Sequence, residues 1–389
     1  MLGFNNQRFN RHFLLIFLIL YSSFLLSGFC LGIYNVTLSN IQSELNINDK
    51  QSGYLASAAL LGMMIGALFL GILSDHIGRK KTLVSAIVLF SIFNGLIGFV
   101  SSYYTFMTTR FIAGVGIGAL TPLCVSLLSE YSPKANRTFL ITLVMTGMPL
   151  GQLIASLTGI VFLETQGWRF LYLLSYISLA ILPFVFLYLP KSLKYSLNEK
   201  ISLISLFKPL YLRNSIAMCL IFFCNMYVFY GVSTWLPTLM LGQGYAMVSS
   251  ITFLSVFLLG NVITAPIVGF FVDKVGFKKM MSIGYLVMAI VIVLFSFKMI
   301  STAQMLFVFI IGGCIGIVQN TVLAIVPKFY PVSQRGTAIG TFSACSRLGS
   351  FIAPSVIGLL LLNSWNIYNI FLVFAIPSIV GLVAIMKVK

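Results

Sequence analysis

Two arginines lie within long apolar segments of the sequence, where a permanent charge is costly. Arg110 is six residues into the segment 104–128, and Arg347 is eleven residues into the segment 336–361. A guanidinium cannot escape burial by losing its proton. All seven carboxylates lie at the ends of apolar segments or between them. Each buried charge must therefore be compensated by backbone carbonyls, by water or by a bound anion.

The two arginines differ in depth, and the difference favours different roles. Arg347 lies near the middle of its segment, where a guanidinium that faces a cavity can hold a carboxylate through two parallel hydrogen bonds. Arg110 lies nearer to one end, where a long side chain can extend toward water. Packing against helix carbonyls is the alternative for both. The sequence thus predicts a site for a small organic anion at Arg347, with Arg110 as a second candidate.

Several polar and aromatic residues in the apolar segments are candidates for lining the same site. Each of them could instead form a hydrogen bond between helices, which is a common role of a single polar residue in such a segment. The candidates are Asn35, Gln152, Asn225, Tyr230, Trp235, Asn261, Gln319 and Asn320.

A group of charged residues lies in the short connections between apolar segments. Asp75 and Gly78 precede Arg79 in one connection, and Glu130 precedes Arg137 in another. Glycine permits a tight turn, and opposite charges at one membrane face can form a network that breaks when the protein changes conformation. We therefore interpret these residues and their later counterparts as gating residues. The set is Asp75, Gly78, Arg79, Glu130, Arg137, Asp273 and Arg335.

The composition argues against most other classes of function. Hydrophobic residues make up 59% of the chain and charged residues 8%, whereas soluble proteins have about 45–50% and about 25%. No group of His, Asp and Glu lies together in the apolar segments to support acid–base or metal chemistry. We expect neither an enzyme nor a cofactor. The net charge of +17 does not cluster on a polar helix or strand, which argues against nucleic-acid binding.

The apolar segments must be the elements that position these residues, because a spanning helix needs about 20 apolar residues. Hydropathy predicts an all-α membrane protein with twelve transmembrane helices. The predicted spans are 13–38, 52–73, 82–101, 104–128, 139–163, 168–190, 213–239, 248–271, 280–299, 303–327, 336–361 and 366–386.

The basic residues orient this arrangement. Of the 24 Lys and Arg residues, 19 fall in segments on one side of the predicted spans and 3 on the other, besides the two within spans. Cytoplasmic segments carry the excess of Lys and Arg in membrane proteins. Both termini are therefore predicted to be cytoplasmic.

A repeat divides the sequence into two halves. GILSDHIGRKK at 71–81 reappears as GFFVDKVGFKK at 269–279, an offset of 198 residues that Arg137 and Arg335 share. We predict two six-helix repeats, with an N-terminal bundle at 1–190, a cytoplasmic linker at 191–212 and a C-terminal bundle at 213–389. In transporters built from such repeats, the site lies between the repeats near the midplane.

At both copies of this motif the sequence resembles the major facilitator superfamily. Over nearly its whole length it is similar to the aromatic acid:proton symporter family within that superfamily. The resemblance implies twelve helices, alternating access and uptake of small aromatic or related carboxylates with protons. The similar segments are RFIAGVGIGAL and SEYSPKANR within 110–137, GWRFLY and LPKSLKY within 167–195, FYGVSTWLPTLM at 229–240 and YPVSQRGTAIGTFSACSRLGSFIAP at 330–354.

The first predicted helix departs from that family. Its members usually carry Asp-Gly-x-Asp there, with the acids linked to proton coupling, whereas this chain has Ser27, Gly28, Phe29 and Cys30. Protons as a co-substrate are therefore left open.

Together these observations predict a secondary active or facilitative transporter of a small organic anion. An exporter of drugs or metabolites with the same fold is the alternative. We expect a monomer in a lipid bilayer, in the inner membrane of a bacterium, with the anionic substrate as its small-molecule partner.

Overall fold

The fold is helical throughout the part of the chain that the structure describes. The computed structural model describes residues 11–133, 137–190, 206, 209–297, 299–330 and 335–388. Short 3-10 segments at Ile97–Phe99 and Leu174–Ile181 extend α3 and join α6 to α7. The helices are α1 (Arg11–Leu45), α2 (Asp49–Ile77), α3 (Arg79–Leu96), α4 (Tyr103–Tyr131), α5 (Arg137–Met145), α6 (Gly147–Leu173), α7 (Leu182–Tyr188), α8 (Pro209–Gly242), α9 (Met247–Val275), α10 (Phe277–Phe295), α11 (Ser301–Phe329), α12 (Arg335–Leu362) and α13 (Ile367–Met386).

Eleven helical runs within the described residues are long and apolar enough to cross a membrane. The longest run, Phe139–Tyr188, has 50 residues. A straight helix of that length would extend about 75 Å, more than twice the thickness of a bilayer core. The run is interrupted at Gly167, where φ is 75° and ψ is 168°, a conformation that glycine adopts readily. The interruption falls between the predicted spans 139–163 and 168–190.

The helices of the second half begin at a constant distance along the chain from those of the first. The first residues of α9, α10 and α11 each follow those of α2, α3 and α4 by 198 residues. The turns that end α2 and α9 also match, because Gly78 and Gly276 have φ values of 94° and 85°. The sequence repeat therefore coincides with recurring helix boundaries.

Helix packing within each half is tight, and further helix contacts join the halves. Within the halves, α1 packs on α6, α2 on α4, α8 on α12 and α9 on α11. A Cβ atom at Gly118 of α4 would lie 2.0 Å from the carbonyl oxygen of Met63 in α2, so only glycine permits this approach. Between the halves, α2 packs on α12 and α6 packs on α9.

Candidate functional site

Arg347 of α12 reaches across the interface between the two halves. Its guanidinium Nη2 lies 3.3 Å from the hydroxyl oxygen of Thr121 in α4, and its Nη1 lies 4.0 Å from the sulfur of Met63 in α2. The ion pairs in the described part of the chain are Arg79–Glu130 and Arg169–Glu44. Arg347 therefore has no carboxylate partner there, and its donors remain available for an anion.

Tyr230 of α8 lies beside Arg347 and makes a second contact across the same interface. Its hydroxyl is adjacent to the Arg347 guanidinium and 3.9 Å from the sulfur of Met148 in α6. The Tyr230 ring meets the ring of Phe229 edge to face, with centroids 5.0 Å apart. Aromatic rings and thioethers pack well against another aromatic ring. The surroundings of Arg347 thus combine one cation with groups suited to a planar apolar body.

Gln152 of α6 lies beside Gly32 of α1, between two residues of α6 that contact the second half. Met148, Gln152 and Ser156 are spaced four residues apart, so they share one face of the helix. Met148 contacts Tyr230 of α8. The hydroxyl of Ser156 lies 2.9 Å from the hydroxyl of Ser255 in α9. Gln152 is 1% exposed, and neither its amide oxygen nor its amide nitrogen has a hydrogen-bond partner among the described residues.

Asn225 of α8 also has a buried amide without a described hydrogen-bond partner. It is 2% exposed, and both atoms of its amide lack a partner in the described part of the protein. A buried polar group without a hydrogen bond costs about 1–3 kcal/mol. Gln152 and Asn225 are therefore polar candidates whose amide groups find no partner among the described residues.

Two other sequence candidates hold helices of the second half together. The indole nitrogen of Trp235 in α8 donates a hydrogen bond of 3.0 Å to the carbonyl of Pro354 in α12. The amide nitrogen of Asn261 in α9 lies 3.4 Å from the carbonyl oxygen of Gly312 in α11. The sequence assigned both residues to the candidate site, and the structure places both at helix–helix contacts.

The remaining polar candidates are spread over two helices. Asn35 is buried in α1. In α11, Asn320 donates to the carbonyl of Gly316 in its own helix at 2.8 Å, and Gln319 is partly buried. The contacts described for these residues do not join them to Arg347.

Arg110 is enclosed within the first half. The guanidinium carbon lies 4.1 Å from the centre of the Tyr34 ring, and Nε lies 3.3 Å from the carbonyl oxygen of Leu55. The side chain is 3% exposed. An aromatic face and a helix carbonyl thus compensate this charge, and its described contacts are separate from those of Arg347.

Sequence reasoning missed three residues that the structure brings to Arg347 and Tyr230. These are Met63, Met148 and Thr121, which have no charge and no distinctive spacing. One signal was available, because Pro122 follows Thr121 inside α4 and proline removes a helix hydrogen bond.

The fold and these contacts agree with a known family of membrane proteins. The family model described as "Major Facilitator Superfamily" matches residues 20–257 and 248–389. The chain belongs to the Major Facilitator Superfamily. It is accordingly a multi-pass membrane transport protein and not an enzyme, as predicted.

Individual members of the superfamily align with most of the chain. The gentisate transporter of Corynebacterium glutamicum is 32% identical over 352 residues, which cover 87% of this chain and 79% of that protein. The benzoate transport protein of Acinetobacter baylyi is 29% identical over 404 residues, which cover 93% of this chain and 86% of that protein. These relatives confirm the predicted similarity to the aromatic acid:proton symporter family.

A solved structure of the superfamily has the same fold. The crystal structure of a D-xylose-proton symporter superposes with a TM-score of 0.80 at 18% sequence identity, covering 96% of this chain and 97% of that one. The predicted all-α major facilitator fold is confirmed.

In this superfamily member, the predicted gating residues that the structure describes lie within the first half. Arg79 at the start of α3 forms an ion pair with Glu130 at the end of α4, and its Nη1 lies 3.4 Å from the carbonyl oxygen of Ser126. Gly78 forms the turn before α3. The side chains of four other predicted gating residues lie outside what the structure describes; they are Asp75, Arg137, Asp273 and Arg335.

At the opposite end of α2, the two halves are in close contact. The hydroxyl of Ser57 donates to the carbonyl of Phe351 at 2.6 Å and lies 2.7 Å from the hydroxyl of Ser355. A Cβ atom at Gly53 would lie 2.6 Å from the carbonyl oxygen of Pro354. The first turns of α2 therefore pack directly on the last turns of α12.

Proposed function

We propose that this transporter carries a small aromatic carboxylate by alternating access and that Arg347 is the anchor for the carboxylate. The proposal rests on the contacts of Arg347, which reaches from the second half to Thr121 and Met63 of the first without a described acidic partner. A site between the halves is exposed to each side in turn when the halves rock. The aromatic acids named for the relatives fit a cation beside Tyr230 and two thioethers.

We further propose twelve membrane crossings in two six-helix repeats, with bundles at 1–190 and 213–389 joined by the cytoplasmic linker 191–212. The break at Gly167 supports two crossings within Phe139–Tyr188. The constant offset of 198 residues between helix starts supports the repeat. The two most extensive interfaces between the halves involve equivalent helices, because α9 corresponds to α2 and α12 corresponds to α5 and α6.

The proposed setting is the inner membrane of a bacterium, with both termini in the cytoplasm and the transporter acting as a monomer. The distribution of Lys and Arg supports this orientation. In this orientation the contacts of Ser57 and Gly53 with α12 lie at the outer side, and the Arg79–Glu130 pair lies at the inner side. We propose that the inner charged connections, including Asp75, take part in gating.

Substitution of Arg347 tests the anchor. We expect Arg347→Ala to weaken benzoate or gentisate binding by about 2–5 kcal/mol, because a desolvated anion loses its charged partner. Arg347→Lys keeps the charge but loses the two-pronged geometry, so its affinity should also be poor. Binding and uptake of each labelled acid are measured with purified protein in vesicles.

Arg213→Ala is the matched control, since Arg213 is exposed at the start of α8 and donates to the carbonyl of Lys387. It should bind both acids with unchanged affinity. Near-normal affinity in a correctly inserted Arg347→Ala or Arg347→Lys variant contradicts the assignment.

A further inference from the structure

The buried amide of Gln152 is placed between two contacts that join the halves. One helical turn before it, Met148 meets Tyr230, and one turn after it, Ser156 meets Ser255. Residues four apart on a helix have Cβ atoms about 5–6 Å apart. Gln152 therefore lies beside Gly32 of α1, between two contacts that join the halves and about one turn away from Met148.

The amide of Gln152 has unused capacity to donate and to accept hydrogen bonds. It offers two N–H donors and a carbonyl acceptor, and neither its nitrogen nor its oxygen has a partner within the described part of the chain. Because leaving such a group unpaired at 1% exposure is costly, a polar group on a bound ligand would be favoured at this point.

The contacts that lead from Arg347 to Gln152 indicate where the polar group of a ligand would lie. Arg347 is adjacent to the Tyr230 hydroxyl, which contacts Met148, which is one turn from Gln152. A carboxylate held at Arg347 places an attached ring beside Tyr230 and Met148. The ring edge remote from the carboxylate then points toward Gln152. An unsubstituted ring presents only C–H groups there, whereas a phenolic hydroxyl can both donate and accept.

We propose that Gln152 recognises a hydroxyl group on the substrate ring, so that the preferred substrates are hydroxylated aromatic carboxylates. This inference rests on the proposed function, since it takes Arg347 as the carboxylate anchor. Gln152 determines specificity in this scheme, and Arg347 supplies the charge recognition that all aromatic acids share. A site that hydrogen-bonds a hydroxyl discriminates against the analogue that lacks it, because its own polar group is then left unpaired.

The test compares benzoate with 3-hydroxybenzoate and 4-hydroxybenzoate as competitors for binding to the purified full-length transporter. We expect the unmodified protein to bind the better hydroxylated acid at least about tenfold more tightly than benzoate. Gln152→Met keeps an unbranched side chain of similar length and removes the amide. It should reduce the preference to about twofold or less and leave benzoate affinity unchanged or improved.

Gln304→Met is the matched control. Gln304 is also a buried glutamine in a helix, but its amide accepts from Tyr245 at 2.5 Å and donates to Gln243 at 3.2 Å. This variant should retain the preference for the hydroxylated acid.

Three results overturn the inference, and they separate it from the proposed function. Equal affinity of the unmodified protein for all three acids removes the hydroxyl subsite and leaves the carboxylate anchor in place. A parallel loss of all three acids in Gln152→Met, in a folded protein, shows a structural role instead. If the unmodified protein binds none of the three acids, both proposals are wrong.

Discussion

Arg347 and Arg110 are the same residue type in similar helices, and their surroundings assign them different roles. Arg110 lies over the face of Tyr34 and next to the carbonyl of Leu55, both in its own half. Arg347 reaches Thr121 in the other half. A charge that its own half already compensates gains little from a ligand, whereas one that lies between moving halves can exchange its partners for an anion.

This difference predicts that Arg110→Gln leaves substrate affinity nearly unchanged. The side chain is enclosed by the first half, so we expect the dissociation constant for benzoate to change by less than about threefold, which is well under the cost of losing a desolvated charge pair. Equilibrium binding to purified protein is the measurement, since it does not depend on the transport rate. A loss as large as that of Arg347→Ala places Arg110 in the binding site.

At the scale of helices, the start of α2 packs on α12 at the end of the molecule that the proposed orientation places on the outer side. Gly53 of α2 lies very near to α12. A Cβ atom at Gly53 would be 2.6 Å from the carbonyl oxygen of Pro354 and 3.1 Å from the Cα atom of Ser355. Both neighbours are backbone atoms, which cannot move aside as a flexible side chain can. The contact therefore depends on the absence of a side chain at this position.

We predict that Gly53→Val opens the outer side, because the added methyl groups separate α2 from α12. Spin labels at Lys50 and Asn363, near the outer ends of these helices, should report a longer distance than in the parent protein. Gly340→Val is the control, since a Cβ atom at Gly340 of α12 has open space around it. An unchanged distance in Gly53→Val rejects this interface as the outer closure.

The helices and the position of Arg347 between the halves could be predicted from sequence because both depend on local properties. Long apolar runs predict spanning helices, and the depth of Arg347 within its run distinguishes it from Arg110. Pro122 offered a signal for Thr121, but the partners Met63 and Met148 could not be predicted. Their roles depend on which helix faces meet between the halves, and packing over the whole molecule determines this.

The roles of single polar residues were equally inaccessible to the sequence. Gln152 and Asn261 are both amides within apolar helices, but Asn261 contacts the carbonyl of Gly312, whereas Gln152 has no described partner. Hydropathy treats the two alike. The distinction requires knowing the neighbouring helix of each.

At the scale of the whole molecule, ion pairs stabilise the first half at both ends. Arg169 binds Glu44 at 2.6 Å and the carbonyl of Val100 at 2.9 Å at one end, and Arg79 pairs with Glu130 at the other end. These described pairs join helices of one half and do not cross to the other. This arrangement favours movement of the first half as a unit against the second, about the contacts at Arg347 and Tyr230.

Such a movement needs a titratable group near the substrate if protons are to drive it. Buried carboxylates serve this purpose because desolvation raises their pKa toward neutrality. The sequence places all seven carboxylates at helix ends or in connections, and Ser27 and Cys30 stand where the related symporters have aspartates. Asp75 belongs to the last turn of α2 and Glu130 to the last turn of α4, where Glu130 pairs with Arg79.

We therefore predict that the purified transporter in vesicles exchanges its anion without a pH gradient. Labelled benzoate inside should exchange with unlabelled benzoate outside at equal pH, and an inward proton gradient should concentrate the anion weakly at most. Protein-free vesicles and vesicles with Arg347→Ala measure the passive distribution of the neutral acid, which a gradient drives by itself. Steep accumulation beyond those controls, abolished by a protonophore, contradicts the prediction and requires a proton-binding group that moves with the substrate. Equal exchange with and without the protonophore supports transport that depends on the anion gradient alone.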